Sequence, residues 1–149
     1  MDEEKRILQE LASSWVSLAA EYAGDAPGVT AYYIYGSDER GASTANAYFE
    51  QDGVVVFPSD LVGTDASVGT VREMQSLLMD DMEAAADAFT AAGIPAPTEY
   101  RLEYIVEGGK LDFQLSREEL YGPGGREKSQ IEGIEYWLGD RAPKLIPGD

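Results

Sequence analysis

Apolar side chains at Ile7, Leu8, Leu11, Trp15, Leu18 and Tyr22 recur every three or four residues. That spacing lines one face of a helix over about residues 3–22. Gly24 and Pro27 end it. The period then changes. Residues 29–35, VTAYYIY, are dense in β-branched and aromatic side chains and read as a strand. The polar run GSDERGAS reads as a loop. Residues 44–51 (TANAYFEQ) and 54–57 (VVVF) flank Asp52-Gly53, a pair that favours a type I′ turn and a tight hairpin. Its register opposes Gln51 to Val54, Phe49 to Val56 and Tyr48 to Phe57. Apolar groups fall on both faces of this hairpin. Either it is central in the sheet, or one face leaves aromatics for a partner.

The turn-rich segment 58–70 leads to a second helix over about residues 71–92. Val71, Met74, Leu78, Met82, Ala85 and Phe89 form its buried stripe, and Gly93, Pro95 and Pro97 stop it. Two strands follow, 100–106 and 110–115. A two-residue Gly108-Gly109 turn between them opposes Val106 to Leu111, Tyr104 to Phe113 and Leu102 to Leu115. The other face then pairs Glu107 with Lys110 and Glu103 with Gln114. One face is apolar and the other solvated, as in an antiparallel sheet covered on one side. GPGG at 122–125 breaks the chain before a short helix over 127–138 that carries Ile131, Ile134, Trp137 and Leu138. An irregular tail is expected from about residue 139.

The order α-β-β-β-α-β-β-α predicts an α+β fold. We expect an antiparallel sheet of about five strands with helices packed on one side, in a single domain over 1–149. No repeat or low-complexity segment interrupts it.

Charge changes this picture. The chain carries 28 acids against 11 bases, for a net charge of −17. Residues 23–98 hold −10 of it, with Arg40 and Arg72 as their only bases. Such a field repels nucleic acid and anionic membrane and attracts basic partners. On the second helix Glu73, Asp80 and Asp87 lie seven residues apart and nearly superpose, and Glu83 falls beside them. Together they form a carboxylate ridge opposite the Met74/Leu78/Ala85 stripe. Asp81 lies at the flank of the apolar face. Each close like-charge pair, such as Glu83 with Asp87, costs the helix roughly 0.2–0.5 kcal/mol. A helix built for stability alone would alternate Glu with Lys. The ridge therefore reads either as plain solvated surface or as a docking face for Lys and Arg. Tyr32, Tyr33, Tyr35 and Tyr48 sit in adjacent strands. Tyr32 and Tyr33 must point to opposite faces. Exposed tyrosines would anchor a partner, with Tyr48 and Tyr32 the candidates; the plain alternative is that they cap the edge of the core.

Chemistry is bounded by what is missing. There is no Cys and no His, so thiol chemistry, a histidine base and zinc signatures are out. GDAPG, GPGG and IEGG lack the context of a phosphate loop. Asp80 and Asp81 are adjacent on a helix, point about 100° apart and chelate poorly as a pair. No catalytic residue, cofactor or metal ligand is assigned. The start MDEEKRILQE has neither the basic end nor the apolar run of a secretory signal, and no stretch is long enough to span a bilayer. A cytoplasmic protein is expected.

EYRLEYIVEGGKLDFQLSREEL, at 99–120, resembles the closing hairpin of the YezG-like immunity protein family. IEGIEYWLGDRAP, with Trp137, Leu138-Gly139 and Pro143, resembles that family's Trp-containing helix and the Leu-Gly and Pro after it. Trp15 fits its early Trp. The resemblance implies a cytoplasmic, non-enzymatic immunity protein that binds and inhibits a cognate toxin, in several members a nuclease. On that reading Glu73, Asp80, Glu83 and Asp87 supply charge, and Tyr48 and Tyr32 supply anchors. Two other classes stay open: a small carboxylate-based enzyme or divalent-metal binder, and an adaptor or chaperone for a basic secreted protein.

Overall fold

The computed structural model describes residues 2–144. Its elements are α1 (Glu3–Ala23), β1 (Val29–Glu39), β2 (Ala42–Gln51), β3 (Val54–Val56), α2 (Val68–Ala91), β4 (Glu99–Ile105), β5 (Lys110–Ser116) and α3 (Gly133–Leu138). The expected order and fold class hold. The strands form one antiparallel sheet in the order β3-β2-β1-β4-β5.

Both long helices pack on one face, here the front. Ile7, Leu11 and Trp15 of α1 meet Met74, Leu78, Met82 and Phe89 of α2 over Ile34, Ala47, Phe49, Tyr100 and Leu102 of the sheet. Trp15 Nε1 donates to the Leu78 carbonyl at 3.0 Å, which ties the two helices together inside the core. Gly36 makes room for this contact. A Cβ there would lie 2.8 Å from Met82 Sδ and 2.9 Å from the Trp15 ring.

The expectation of helices on one side is corrected for the short α3, which lies against the opposite, back face. Ile134 and Ala142 bury Ala31, Tyr33, Tyr35, Tyr48 and Val55 there. The β2–β3 hairpin is therefore covered on both sides, which accounts for its apolar residues on both faces.

The hairpin at Asp52-Gly53 has the expected register, with Gln51 opposite Val54 and Phe49 opposite Val56. Pairing stops at Val56, and the Phe57 ring still reaches Tyr48 at 5.9 Å between centroids. Other boundaries need correction. GSDERGAS is not a loop: β1 and β2 run through it and turn tightly at Arg40-Gly41, both at positive φ (56° and 80°). The second helix begins three residues early, because the Ser67 side chain caps it by accepting from the Thr70 N–H. The β4–β5 register is shifted by two residues. Tyr104 faces Leu111, Leu102 faces Phe113 and Tyr100 faces Leu115. On the other face Glu103 meets Asp112 and Arg101 meets Gln114. The cause is Val106, which leaves the strand with helical φ/ψ (−60°, −47°) and donates its N–H to the Thr30 carbonyl, making a four-residue connection.

The last helix is also shorter than expected. Residues 130–132 form a separate 3-10 turn, and Ile131 stays 62% exposed. Gly139–Arg141 form another such turn. The end of the expected irregular tail, 145–149, lies outside the described residues.

Candidate functional site

α1 and α2 run antiparallel, as the partners Ser14 with Asp81 and Tyr22 with Thr64 require. Their outer surface carries the ridge. Glu73, Asp80, Glu83 and Asp87 are all exposed. Among the described residues none of the four makes a salt bridge or a side-chain hydrogen bond. The structure brings them together on one helix face, as the spacing predicts. Asp81 is set apart: it is half-buried and accepts from Ser14 Oγ at 2.5 Å.

Between the acids sits an apolar residue that the charge pattern overlooked. Leu77 is four residues after Glu73 and three before Asp80, and it is 41% exposed. It lines a groove of about 220 Å³ between the helices, with Leu18, Tyr22 and Met74 also lining it and Glu21, Asp65 and Glu73 contributing acids. No basic residue lines this groove. A signal for it existed in the sequence: Leu77 breaks the polar side of the second helix next to the Leu78 of its buried stripe.

The tyrosine anchors are a correction. Tyr48 is 2% and Tyr32 8% exposed. Tyr32 lies in the front core between the rings of Phe49 and Tyr104. Tyr48 lies in the back core against Phe57, where burial pushes its hydroxyl up to about 12. Both are structural. They are inside because β2 and β1 are central strands, so both of their faces are covered. Tyr32 and Tyr33 do point to opposite faces, with Tyr33 stacked edge-on against Trp137.

The back face holds polar groups that sequence reasoning missed. Glu99 is 4% exposed. Its Oε2 accepts from the Tyr35 hydroxyl and from Arg126 Nη1, each at 2.5 Å. Tyr121 bonds both the Tyr35 hydroxyl and Arg126 Nη1. Burial first, then these bonds, raise the Tyr35 hydroxyl well above its ordinary value. Glu39, also buried, accepts from the backbone N–H groups of Leu120 and Tyr121 at 2.9 Å. These partners lie up to 91 residues apart in sequence, so no local pattern announces them. Among the described residues no group of three or more acidic side chains is arranged to hold a metal ion. No described helix is long and apolar enough to cross a membrane.

The chain matches no protein-family model and no curated protein. Its function is therefore argued from the residues.

Proposed function

We propose that this is a non-catalytic binding protein of the immunity type, which neutralises a basic protein toxin by docking it on the outer α1–α2 face. One observation carries the reading: Glu73, Asp80, Glu83 and Asp87 crowd an exposed face of a helix whose single base is Arg72, and none of the four makes a salt bridge among the described residues. Folding gains nothing from that arrangement, whereas encounter with a positive surface does. Leu77, exposed at the groove edge of the ridge, offers the apolar contact that charge alone lacks. A nuclease surface that grips phosphate is basic, so it has the complementary sign. The resemblance to YezG-like proteins points to the same class. Cytoplasmic residence belongs to this proposal.

The experiment is association kinetics between this chain and the purified product of a toxin gene encoded beside it. With Asp80 and Asp87 both changed to Lys, the fold should persist, the on-rate should fall and its salt dependence should weaken. Unchanged kinetics in that double variant would remove the ridge from the interface. Failure of the unaltered chain to inhibit that toxin would remove the immunity reading.

A further inference from the structure

On the back face, opposite the ridge, a pocket of about 230 Å³ opens over β4 and β5. Glu99, Arg101, Gln114, Ser116, Glu118 and Arg126 supply its polar lining. Two guanidiniums there converge on one buried carboxylate. Arg126 Nη1 lies 2.5 Å from Glu99 Oε2, and Arg101 Nε lies 3.0 Å from Glu99 Oε1. The second contact is an ion pair and not a hydrogen bond, so the buried Arg101 Nε has a carboxylate beside it but no hydrogen-bond acceptor. Every side-chain hydrogen bond that ties down Arg126 leaves from Nη1. Among the described residues no side-chain nitrogen of Arg101 makes one.

Each guanidinium offers five N–H donors in a planar fork. Most of the ten are therefore unused. The lining as a whole, with Arg101 and Arg126 against Glu99 and Glu118, is neutral in a chain of net −17. Burial without a partner makes an unused donor costly, and an acceptor entering the pocket would relieve that cost.

We propose that this pocket binds a carboxylate, held by the Arg101 and Arg126 guanidiniums, with the Ser116 hydroxyl within the same lining. A planar carboxylate fits a guanidinium fork edge to edge. The Glu99 oxygens are already committed to Tyr35, Arg126 and Arg101 and do not compete. Glu118 does. It is exposed and makes no salt bridge among the described residues, so its charge opposes an incoming anion. The carboxylate comes either from an acidic side chain of a protein partner or from a small free acid.

The test is a titration of the full-length chain, reading the arginine Nε–H resonances by NMR. Sodium acetate and a capped Gly-Glu-Gly peptide are the two probes, each against sodium chloride at matched ionic strength. The Arg101 signal should move saturably with a carboxylate and not with chloride. Tighter binding of the peptide than of acetate identifies a protein side chain as the source, and equal binding identifies a small acid. Arg101→Gln should abolish the saturable shift at Arg126. Glu118→Gln, at an exposed position that leaves the fold intact, should tighten binding about fivefold. Equal response to chloride, a shift that survives in Arg101→Gln, or no tightening in Glu118→Gln would each overturn the proposal.

Discussion

The Tyr35 hydroxyl donates to Glu99 Oε2 at 2.5 Å, joining the middle strand of the sheet to its neighbour through a carboxylate sealed from water. Glu99 has a second donor in Arg126 and a close charge in Arg101. The consequences of removing each partner differ. Tyr35→Phe deletes one donor while Glu99 keeps its cations, and should cost about 1–2 kcal/mol. Glu99→Ala leaves two guanidiniums without their counter-ion and should cost about 3–5 kcal/mol. Urea unfolding of the two variants reads the order directly. A Glu99→Ala loss no larger than that of Tyr35→Phe would mean that the arginines do not depend on Glu99.

The same cluster shows where sequence reading stops. Periodicity identified α1 to within one residue and α2 to within three, because their buried stripes are local and uninterrupted. Asp52-Gly53 gave the register of β2 with β3, because both residues take positive φ (52° and 82°) as a type I′ turn requires. Gly108-Gly109 also take positive φ, yet the register moved, since Val106 gave its N–H to β1 and lengthened the connection. Gly36 to Glu39 looked like loop because they are polar. They are strand because Ser37 and Glu39 find distant partners: Gln130 for one, and the Leu120 and Tyr121 amides for the other. The ridge was legible for the reason the helices were. The tyrosine burial was not, since it follows from strand order in the sheet.

Tyr48 gives a prediction at high pH. Its hydroxyl titrates near 12 in the folded chain and near 10 when unfolded, because burial disfavours the tyrosinate. The folded state thus holds the proton more tightly. Its contribution is complete below pH about 10 and is lost as pH rises from there toward 12. Tyr22, Tyr32, Tyr33, Tyr35, Tyr100 and Tyr121 are also raised, burial being the first cause in each. Tyrosinate absorbance should therefore rise together with loss of the far-ultraviolet helix signal, in one alkaline transition. Most tyrosines ionising at their ordinary value in a chain that stays folded would contradict this packing.

Glu135 gives the opposite limb. Burial pushes its carboxyl up, but the Lys128 and Lys144 ammoniums, 2.8 and 3.3 Å away, outweigh burial and hold it below 4.5. A carboxyl lowered in the folded state stabilises above its unfolded value and loses that effect as pH falls through the folded one. Glu135→Gln should thus be less stable than the unaltered chain at neutral pH by about 1 kcal/mol, since both lysines are partly solvated. The gap should close below pH about 4. Thermal unfolding of both chains across that range is the measurement, and a gap that is independent of pH would assign the loss to packing instead of charge.

The ridge makes a prediction that needs no partner. On α2, Glu83 follows Asp80 by three residues and precedes Asp87 by four, so it repels both through water at the helix surface. A lysine at that position would attract both. Glu83→Lys should therefore raise stability by about 0.5 kcal/mol or more at low salt, with the gain shrinking as salt screens it. Paired unfolding curves at low and high ionic strength decide the matter. A gain that disappears with salt means that the native residue is maintained against stability, as a surface held for encounter with a positive partner would be. No gain at low salt would mean that these carboxylates do not strain the helix, and the case for selection on the ridge would lose its physical basis.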